Sequence, residues 1–388
     1  MFFTFRGMLW GICLLLTVKT SLAFETIAKS AIILDLDSNI TLMEKNADMA
    51  LPPASMSKLM TLNMVFEALE DGRLQLDQTL PVSEHAQSYD GSTMFLTTQD
   101  KVSVEQLIRG VVVLSGNDAS AVLAEALSPD GTERGFADMM TKRAKAIGMT
   151  NSSFANSNGM PAKNHRMSTR DLAILAQRLI SEFPQYYGYF AETEFNFNDR
   201  APANRFNRNP LLAMNIGADG LKTGHTKEAG YGLVGSAMQG DRRIIFAVSG
   251  ISSESKRAKE ANRLATWAFR QFTTVKLAEK GQLIGSIPVW LGPSKSLKIA
   301  ISSDIELLVP ALEKDSITSS IVYQSPISAP ILVGSQVAEL IVSVPGFEDR
   351  KFPIVAGESI EEGSFMVRFK AAAEILGNNL KNRIGNLF

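Results

Sequence analysis

Cysteine is nearly absent from the sequence, and this scarcity excludes several kinds of chemistry. Cys13 is the only cysteine in 388 residues, and it lies in an apolar stretch near the N-terminus that we expect to be removed. The rest of the chain then contains no thiol. Disulfide bonds, a cysteine nucleophile and thiolate metal sites are therefore excluded from the mature protein.

Histidine is scarce and net charge is close to zero. The three histidines, His85, His165 and His225, do not stand at metal-ligand spacing, so we expect no metal site. We expect no cofactor either. A Ser-His-Asp triad is formally possible, but His85 and His165 lie in polar, loop-like surroundings where solvated side chains are expected. The 39 basic and 40 acidic residues almost cancel, which gives no support for nucleic-acid binding.

The apolar run at the N-terminus is too short to span a bilayer, which takes roughly 20 residues. It extends from Met8 to Val18, after Arg6 and before Ser21-Leu22-Ala23, a small-x-small cleavage pattern. This order predicts a secretory signal peptide over residues 1–23 and an exported protein. A retained N-terminal anchor is the less favoured alternative.

A serine and a lysine stand three residues apart in Ser55-Met56-Ser57-Lys58, directly after Pro52-Pro53-Ala54. Prolines suit the approach to a helix, and apolar residues recur at helical spacing as far as Gly72. Ser55 then lies near a helix N-terminus, and Lys58 lies one turn further on, where partial desolvation lowers its pKa. Ser55 is a candidate nucleophile and Lys58 its base. Taken alone, the pattern is more often a capping serine followed by a solvated lysine.

The chain up to about residue 273 combines helical patterns with an antiparallel sheet. A β-hairpin is expected over residues 30–43, and a capping box at 103–106 opens an apolar helix that ends at Leu114. The loop Ser115-Gly116-Asn117 precedes the next helix. Lys222-Thr223-Gly224 stands just before two strands at 231–238 and 243–249, which puts Lys222 on an edge strand. A helix over 253–272 closes this domain, predicted as residues 24–273.

Short alternating segments punctuated by glycine and proline follow from about Val275. They predict a second, small all-β domain over residues 274–363, of sandwich-like form and with a structural or docking role. The predicted fold class is therefore α+β, a helical cluster on an antiparallel sheet followed by an all-β domain.

Three motifs occur in order: Ser55-x-x-Lys58, Ser115-Gly116-Asn117 and Lys222-Thr223-Gly224. Together they resemble the signature of serine penicillin-binding proteins and β-lactamases. The wider context, at residues 91–95, 107–110, 222–226 and 229–231, is similar to the low-molecular-mass D-alanyl-D-alanine carboxypeptidases. The resemblance implies removal of the terminal D-alanine from peptidoglycan stem pentapeptides through an acyl-Ser55 intermediate. It also implies β-lactam antibiotics as covalent inhibitors.

The resemblance assigns further roles to named residues. Ser115 would relay a proton towards the leaving nitrogen, Asn117 would orient substrate and lysine, and Lys222 would add positive charge facing both. The oxyanion hole would use the backbone N–H groups of Ser55 and His225.

A substrate that ends in D-alanine presents a carboxylate, which calls for a cationic clamp. By similarity to the family, Arg257 fits this task, with Thr223 and Gly224 on the substrate-binding strand and Arg208 as a weaker candidate. The alternative for Arg257 is a solvated helix residue beside Lys256 and Lys259.

Two other functions share this fold. A serine β-lactamase would usually read Ser-Asp-Asn in the middle motif, would carry a deacylating glutamate loop and would lack the β domain. A non-catalytic cell-wall-binding protein would be expected to have lost one of the motifs, and none is lost here. These differences favour the peptidase.

The last 25 residues, 364–388, form an amphipathic pattern. Apolar residues share one helical face, with Lys370, Glu374 and Lys381 opposite. The segment resembles the membrane anchor of the family, which would hold the protein peripherally at the periplasmic face of the cytoplasmic (inner) membrane. The alternative is a helix packed on the β domain.

Overall fold

The structure is a computed structural model that describes residues 24–200, 202–366 and 369. The predicted signal peptide, and all but four residues of the predicted anchor, lie outside this part of the chain. The described residues form two compact units, one of residues 25–275 with 306–314, the other of residues 276–305 and 315 onward.

Helices make up much of the first unit, and side-chain caps mark where several of them begin. Ser103 forms the predicted capping box with Gln106, while Thr132, Ser168 and Ser253 each accept a backbone N–H of the turn that follows. The helices are α1 (Lys58–Glu70), α2 (Glu84–Gln87), α3 (Val104–Arg109), α4 (Asn117–Leu127), α5 (Glu133–Ala146), α6 (Thr169–Ser181), α7 (Pro184–Tyr187) and α8 (Glu254–Gln271).

Helix α1 is the centre of this cluster. It is apolar around most of its circumference, from Leu59 to Ala68, and contacts α4, α5 and α6. A helix that is hydrophobic on every side is buried by its neighbours. The residue that begins α1, Lys58, is therefore removed from water together with the apolar residues that follow it.

A five-stranded antiparallel sheet completes the first unit, in the order β2-β1-β7-β6-β5. Helices α6 and α8 pack against it. The strands are β1 (Ser30–Asp35), β2 (Ile40–Lys45), β5 (Ala218–Thr226), β6 (Gly230–Gln239) and β7 (Arg242–Ile251), while β3 (Thr79–Pro81) and β4 (Lys101–Ser103) form a separate pair. As predicted, the hairpin β1–β2 is present and Lys222 lies on an edge strand.

The second unit is built from strands, which confirms the predicted α+β architecture with a C-terminal all-β region. Its main sheet has six strands in the order β12-β14-β15-β10-β9-β13, around a core that includes Leu297, Ile299 and Ile354. The strands of this sheet are β9 (Leu283–Trp290), β10 (Ser296–Ile301), β12 (Thr318–Val322), β13 (Ile327–Ser328), β14 (Gln336–Ser343) and β15 (Arg350–Ala356), while β8 (Phe272–Ala278) and β11 (Ile305–Pro310) lie outside it.

One segment differs from the division expected at residues 273 and 274. Residues 306–314 group with the first unit, where the N–H of Ala311 donates a 2.8 Å hydrogen bond to the carbonyl of Gln271. The alternating pattern of this segment predicts a strand, but alternation does not say which strand will be its partner.

Candidate active site

Ser55 lies in a tight turn, Ala54–Ser57, that runs directly into α1. Two glycines pack closely against this turn. A Cβ on Gly224 of β5 would lie 2.8 Å from the Pro53 carbonyl oxygen, and a Cβ on Gly159 would lie 2.0 Å from that of Ala54. The turn is thus held between an edge strand and a loop, and only glycine permits such close approach of the backbones.

Lys58 is fully buried and donates hydrogen bonds to three oxygens. Its Nζ lies 3.1 Å from Ser55 Oγ, 2.8 Å from Asn117 Oδ1 and 2.5 Å from the carbonyl oxygen of Asn158. Burial lowers the pKa of Lys58 to about 7, and the positive charge of Arg208 acts in the same direction. Near neutral pH a substantial fraction of this amine is therefore unprotonated and able to accept a proton.

The middle motif faces the same lysine. A π-helical turn, Gly110–Leu114, ends at Ser115, whose backbone is left-handed with φ +61°. The Oγ of Ser115 is buried, and it has no hydrogen-bond partner among the described residues. Asn117 begins α4, and its Nδ2 donates to the carbonyl of Asp90 at 3.0 Å, so its Oδ1 is turned towards Lys58.

Lys222 and Thr223 lie buried on the edge strand β5. Burial holds the pKa of Lys222 well below its usual value, with further lowering by the charges of Arg208, Lys58 and Arg257. The four basic side chains lie close together, and the guanidiniums of Arg208 and Arg257 keep positive charge in this region. Such a region favours an anionic ligand.

Arg257, on the first turns of α8, is buried rather than solvated, so its solvated-helix alternative is wrong. Only 3% of it is exposed. Its guanidinium lies 5.8 Å from the ring centroid of Tyr231 and donates to Glu254 at 2.9 Å. Its Nε is buried without a partner among the described residues. Arg208 is more exposed, and donates to the carbonyl of Leu114 at 3.1 Å, next to Ser115.

The three histidines have different environments. His225, just after Lys222-Thr223-Gly224, is exposed and stacks on Tyr231, with ring centroids 3.9 Å apart. The expectation that His165 is solvated is wrong: 1% of it is exposed, and its Nδ1 accepts the N–H of Ala155. His85 is largely exposed, as expected, but it lies on α2 and contacts Glu133.

Three contributors to the site were missed from the sequence. Asn158 supplies a backbone oxygen to Lys58, which no side-chain pattern can reveal. Asp118 accepts the N–H groups of Met94 and Leu96, fixing the segment opposite Asn117. Glu133 binds the loop that carries Asn158. Asp118 and Glu133 both accept hydrogen bonds from backbone groups that are distant from them in sequence.

Known proteins are similar to this chain over most of its length. Two family models match: D-alanyl-D-alanine carboxypeptidase over residues 17–253, and the C-terminal domain of penicillin-binding protein 5 over residues 272–362. The D-alanyl-D-alanine carboxypeptidase DacA of Escherichia coli (strain K12) is 35% identical over 346 residues, which are 87% of this chain and 85% of that protein.

Solved structures are similar to this chain as well. Penicillin-binding protein 5 from Haemophilus influenzae superposes with a TM-score of 0.73 at 31% identity, covering 88% of this chain and all of that one. Penicillin-binding protein D2 from Listeria monocytogenes, in its ampicillin-bound form, has a TM-score of 0.56 at 31% identity, over 62% of this chain and 97% of that one. The chain belongs to the D-alanyl-D-alanine carboxypeptidase family of peptidases.

Proposed function

We propose that the protein is a serine-type D-alanyl-D-alanine carboxypeptidase with Ser55 as nucleophile. The observation that carries the proposal is the 3.1 Å contact between Ser55 Oγ and the Nζ of Lys58, a buried lysine whose pKa is lowered to about 7. A neutral amine at this distance can take the hydroxyl proton as the oxygen attacks. Family membership supports the substrate class, peptidoglycan stem peptides that end in D-alanyl-D-alanine.

Acylation begins with attack by Ser55. Ser55 Oγ bonds to the carbonyl carbon of the penultimate D-alanine while its proton passes to Lys58. The N–H groups of Ser55 and His225 stabilise the negative oxygen of the tetrahedral intermediate. The peptide C–N bond breaks, and the leaving D-alanine nitrogen takes up the proton held by Lys58, relayed through the hydroxyl of Ser115. Water then bonds to the acyl carbonyl carbon, the ester bond to Ser55 Oγ breaks, and this oxygen regains a proton from the water as the shortened stem peptide leaves with a new terminal carboxyl group.

Substrate binding uses the strand edge and the positive charges. Because β5 is an edge strand, an extended peptide can pair with it, which would fix the scissile bond beside Ser55. The terminal carboxylate would lie near Arg257, Thr223 and Lys222, with Arg208 contributing to the field. The buried Nε of Arg257, unpartnered within the described residues, supports an anionic ligand there.

The same chemistry extends to β-lactams, because a strained β-lactam amide presents a carbonyl and a carboxylate in similar positions. The Listeria relative is described in an ampicillin-bound form, which supports this extension. We further propose that the protein is exported and held peripherally at the periplasmic face of the inner membrane by residues 364–388. No helix among the described residues is long and apolar enough to cross a membrane.

The function is tested by incubating the mature protein with a synthetic pentapeptide that ends in D-alanyl-D-alanine and assaying free D-alanine. We expect release from this peptide, none from the matching peptide that ends in L-alanine, and none with Ser55→Ala. Undiminished release by a folded Ser55→Ala variant would rule out Ser55 as nucleophile. Failure of the wild-type protein to release D-alanine would rule out the activity.

A further inference from the structure

A buried carboxylate outside the three motifs lies one loop away from Lys58. Glu133, the first residue of α5, is 8% exposed. Its Oε1 accepts from both the N–H and the Oγ of Ser157, at 2.8 and 2.5 Å, and lies 3.4 Å from the Nδ2 of Asn158. Its Oε2 accepts from the hydroxyl of Tyr89 at 2.5 Å and lies 2.9 Å from His85 Nε2. The carboxylate thus joins α2 to the loop of residues 156–160.

This loop is fixed from the α1 side as well. Thr61 on α1 donates to the Ser157 carbonyl at 2.6 Å, and Gly159 lies against the Ala54 carbonyl in the nucleophile turn. Within the loop, the N–H of Gly159 donates to Asn156 Oδ1 at 2.8 Å. The position of the residue between Ser157 and Gly159 is therefore determined by contacts to both α1 and α5.

That residue is Asn158, whose carbonyl accepts the shortest of the three hydrogen bonds from Lys58. A neutral lysine has two N–H groups and one lone pair. If the two N–H groups donate to Asn158 O and Asn117 Oδ1, the lone pair is left facing Ser55 Oγ, which is the orientation a base requires. Without a fixed Asn158 carbonyl, rotation about the last bonds of the lysine would carry the lone pair away.

We propose that Glu133 is a positioning residue for the base: by holding Ser157 and Asn158, it fixes the carbonyl that aims the Lys58 amine at Ser55. The inference rests on the proposed function, in which Lys58 is the base. It assigns a task to a residue that belongs to none of the three motifs and does not touch Ser55.

Charge gives Glu133 a second, measurable effect on Lys58. Burial acts to raise the pKa of Glu133, but hydrogen bonds from Ser157, Tyr89 and His85 outweigh it, so the pKa is lowered and the group is ionised at neutral pH. Its negative charge, like that of Asp118, raises the pKa of Lys58 against the stronger effects of burial and of Arg208. The other charged or titratable groups around the two residues are Lys222, His165, His85, Tyr89 and Glu125.

The test is the rate constant for acylation by penicillin, measured from pH 5 to pH 9 in wild-type protein and in Glu133→Gln. We expect the maximal rate constant to fall by at least about tenfold, because the base loses its orientation. We also expect the midpoint of the pH profile to move to lower pH, because removing a negative charge favours the neutral lysine. The fall in the maximal rate constant tests the positioning role, whereas the shift of the midpoint tests whether Glu133 is ionised close to Lys58.

Two further variants separate charge from geometry. Ser157→Ala removes one hydrogen bond to Glu133 and no charge, so the rate constant should fall while the midpoint stays. Glu125→Gln is the matched control: this carboxylate borders the same surface cavity as Glu133, and it accepts from Ser83 at 2.9 Å rather than from the loop. It should leave both quantities unchanged.

The proposal is overturned if folded Glu133→Gln keeps the wild-type maximal rate constant, whatever its midpoint, or if Glu125→Gln lowers that rate constant equally. Should Glu133→Gln fail to fold, Ser157→Ala decides: an unchanged rate constant there overturns the proposal. Wild-type protein that is not acylated at Ser55 would instead refute the proposed function. If wild-type protein is acylated at Ser55 but Glu133→Gln and Ser157→Ala have the wild-type rate constant, only the positioning role is refuted.

Discussion

The Nζ of Lys58 lies 3.1 Å from the Oγ of Ser55, at the junction between a tight turn and a buried helix. Local geometry brings the two side chains together, since residues three apart share one face of a helical turn. Burial in the folded protein then allows Lys58 to act as a base, because the surroundings disfavour its charged form. The first effect is local in the chain, whereas the second depends on every helix packed around α1.

Acylation by penicillin should speed up as the pH rises through about 7, the pKa of Lys58. Below this pH the lysine carries a proton and has no lone pair, while above it the neutral amine can accept the proton of Ser55. Lys58→Arg, which stays protonated, should slow acylation by roughly 10²–10⁴-fold. Stopped-flow acylation rates between pH 5 and pH 9 measure both effects. The exposed Lys227, changed to Arg, is the control, and a wild-type midpoint near 10 would refute the role of Lys58.

Replacing Arg257 with Gln should weaken the use of peptides that end in a free carboxylate more than that of their amidated forms. The reason is that the guanidinium would pair with the terminal carboxylate, which amidation removes. Steady-state kcat/KM for both peptides gives the comparison, and the difference between them should be about tenfold or more. Arg270 is exposed at the far end of the same helix, and Arg270→Gln should leave kcat/KM unchanged for both peptides. Equal losses for the two peptides would show that Arg257 is not the clamp.

Gly159→Ala should be more damaging than Gly148→Ala, although both glycines have left-handed backbones, with φ +84° and +91°. Each substitution incurs the left-handed cost of roughly 1–2 kcal/mol. An added Cβ on Gly148 meets nothing within 4 Å, whereas on Gly159 it collides with the Ala54 carbonyl. Urea unfolding should therefore show a larger loss for Gly159→Ala, and only this variant should also lose penicillin acylation. Indistinguishable variants would contradict the described packing of the loop on the turn.

Deletion of residues 365–388 should move the protein from the membrane fraction to the soluble periplasm, while its activity on soluble peptides persists. The physical reason is that an amphipathic helix with basic residues binds an anionic membrane surface through apolar burial and charge. Fractionation with immunodetection of full-length and truncated chains measures this. A full-length mature protein that is already soluble, or a truncated one that stays on the membrane, would refute the anchor.

Features encoded locally could be predicted from the sequence. The Ser103 capping box, the hairpin β1–β2 and the edge position of Lys222 all follow from residues near one another in the chain. Ser55 and Lys58 meet for the same reason. The resemblance to the family could be recognised from the three motifs in their order, because no single motif is specific enough.

Features that depend on distant contacts could not be predicted. His165 follows polar residues, but its loop folds back so that the ring packs on Phe154 and accepts the N–H of Ala155. Glu133 looks like an ordinary first-turn carboxylate, and its role comes from Ser157, 24 residues further along. Asn158 contributes a carbonyl that every residue type possesses. These contacts leave no pattern in a single sequence.

Intact-protein mass spectrometry after exposure to benzylpenicillin, followed by peptide mapping, tests the central claim most directly. The account predicts a mass increase of one penicillin per chain, located at Ser55, and no increase in Ser55→Ala that retains its fold. An adduct at any other residue, or none in the wild-type protein, would contradict it.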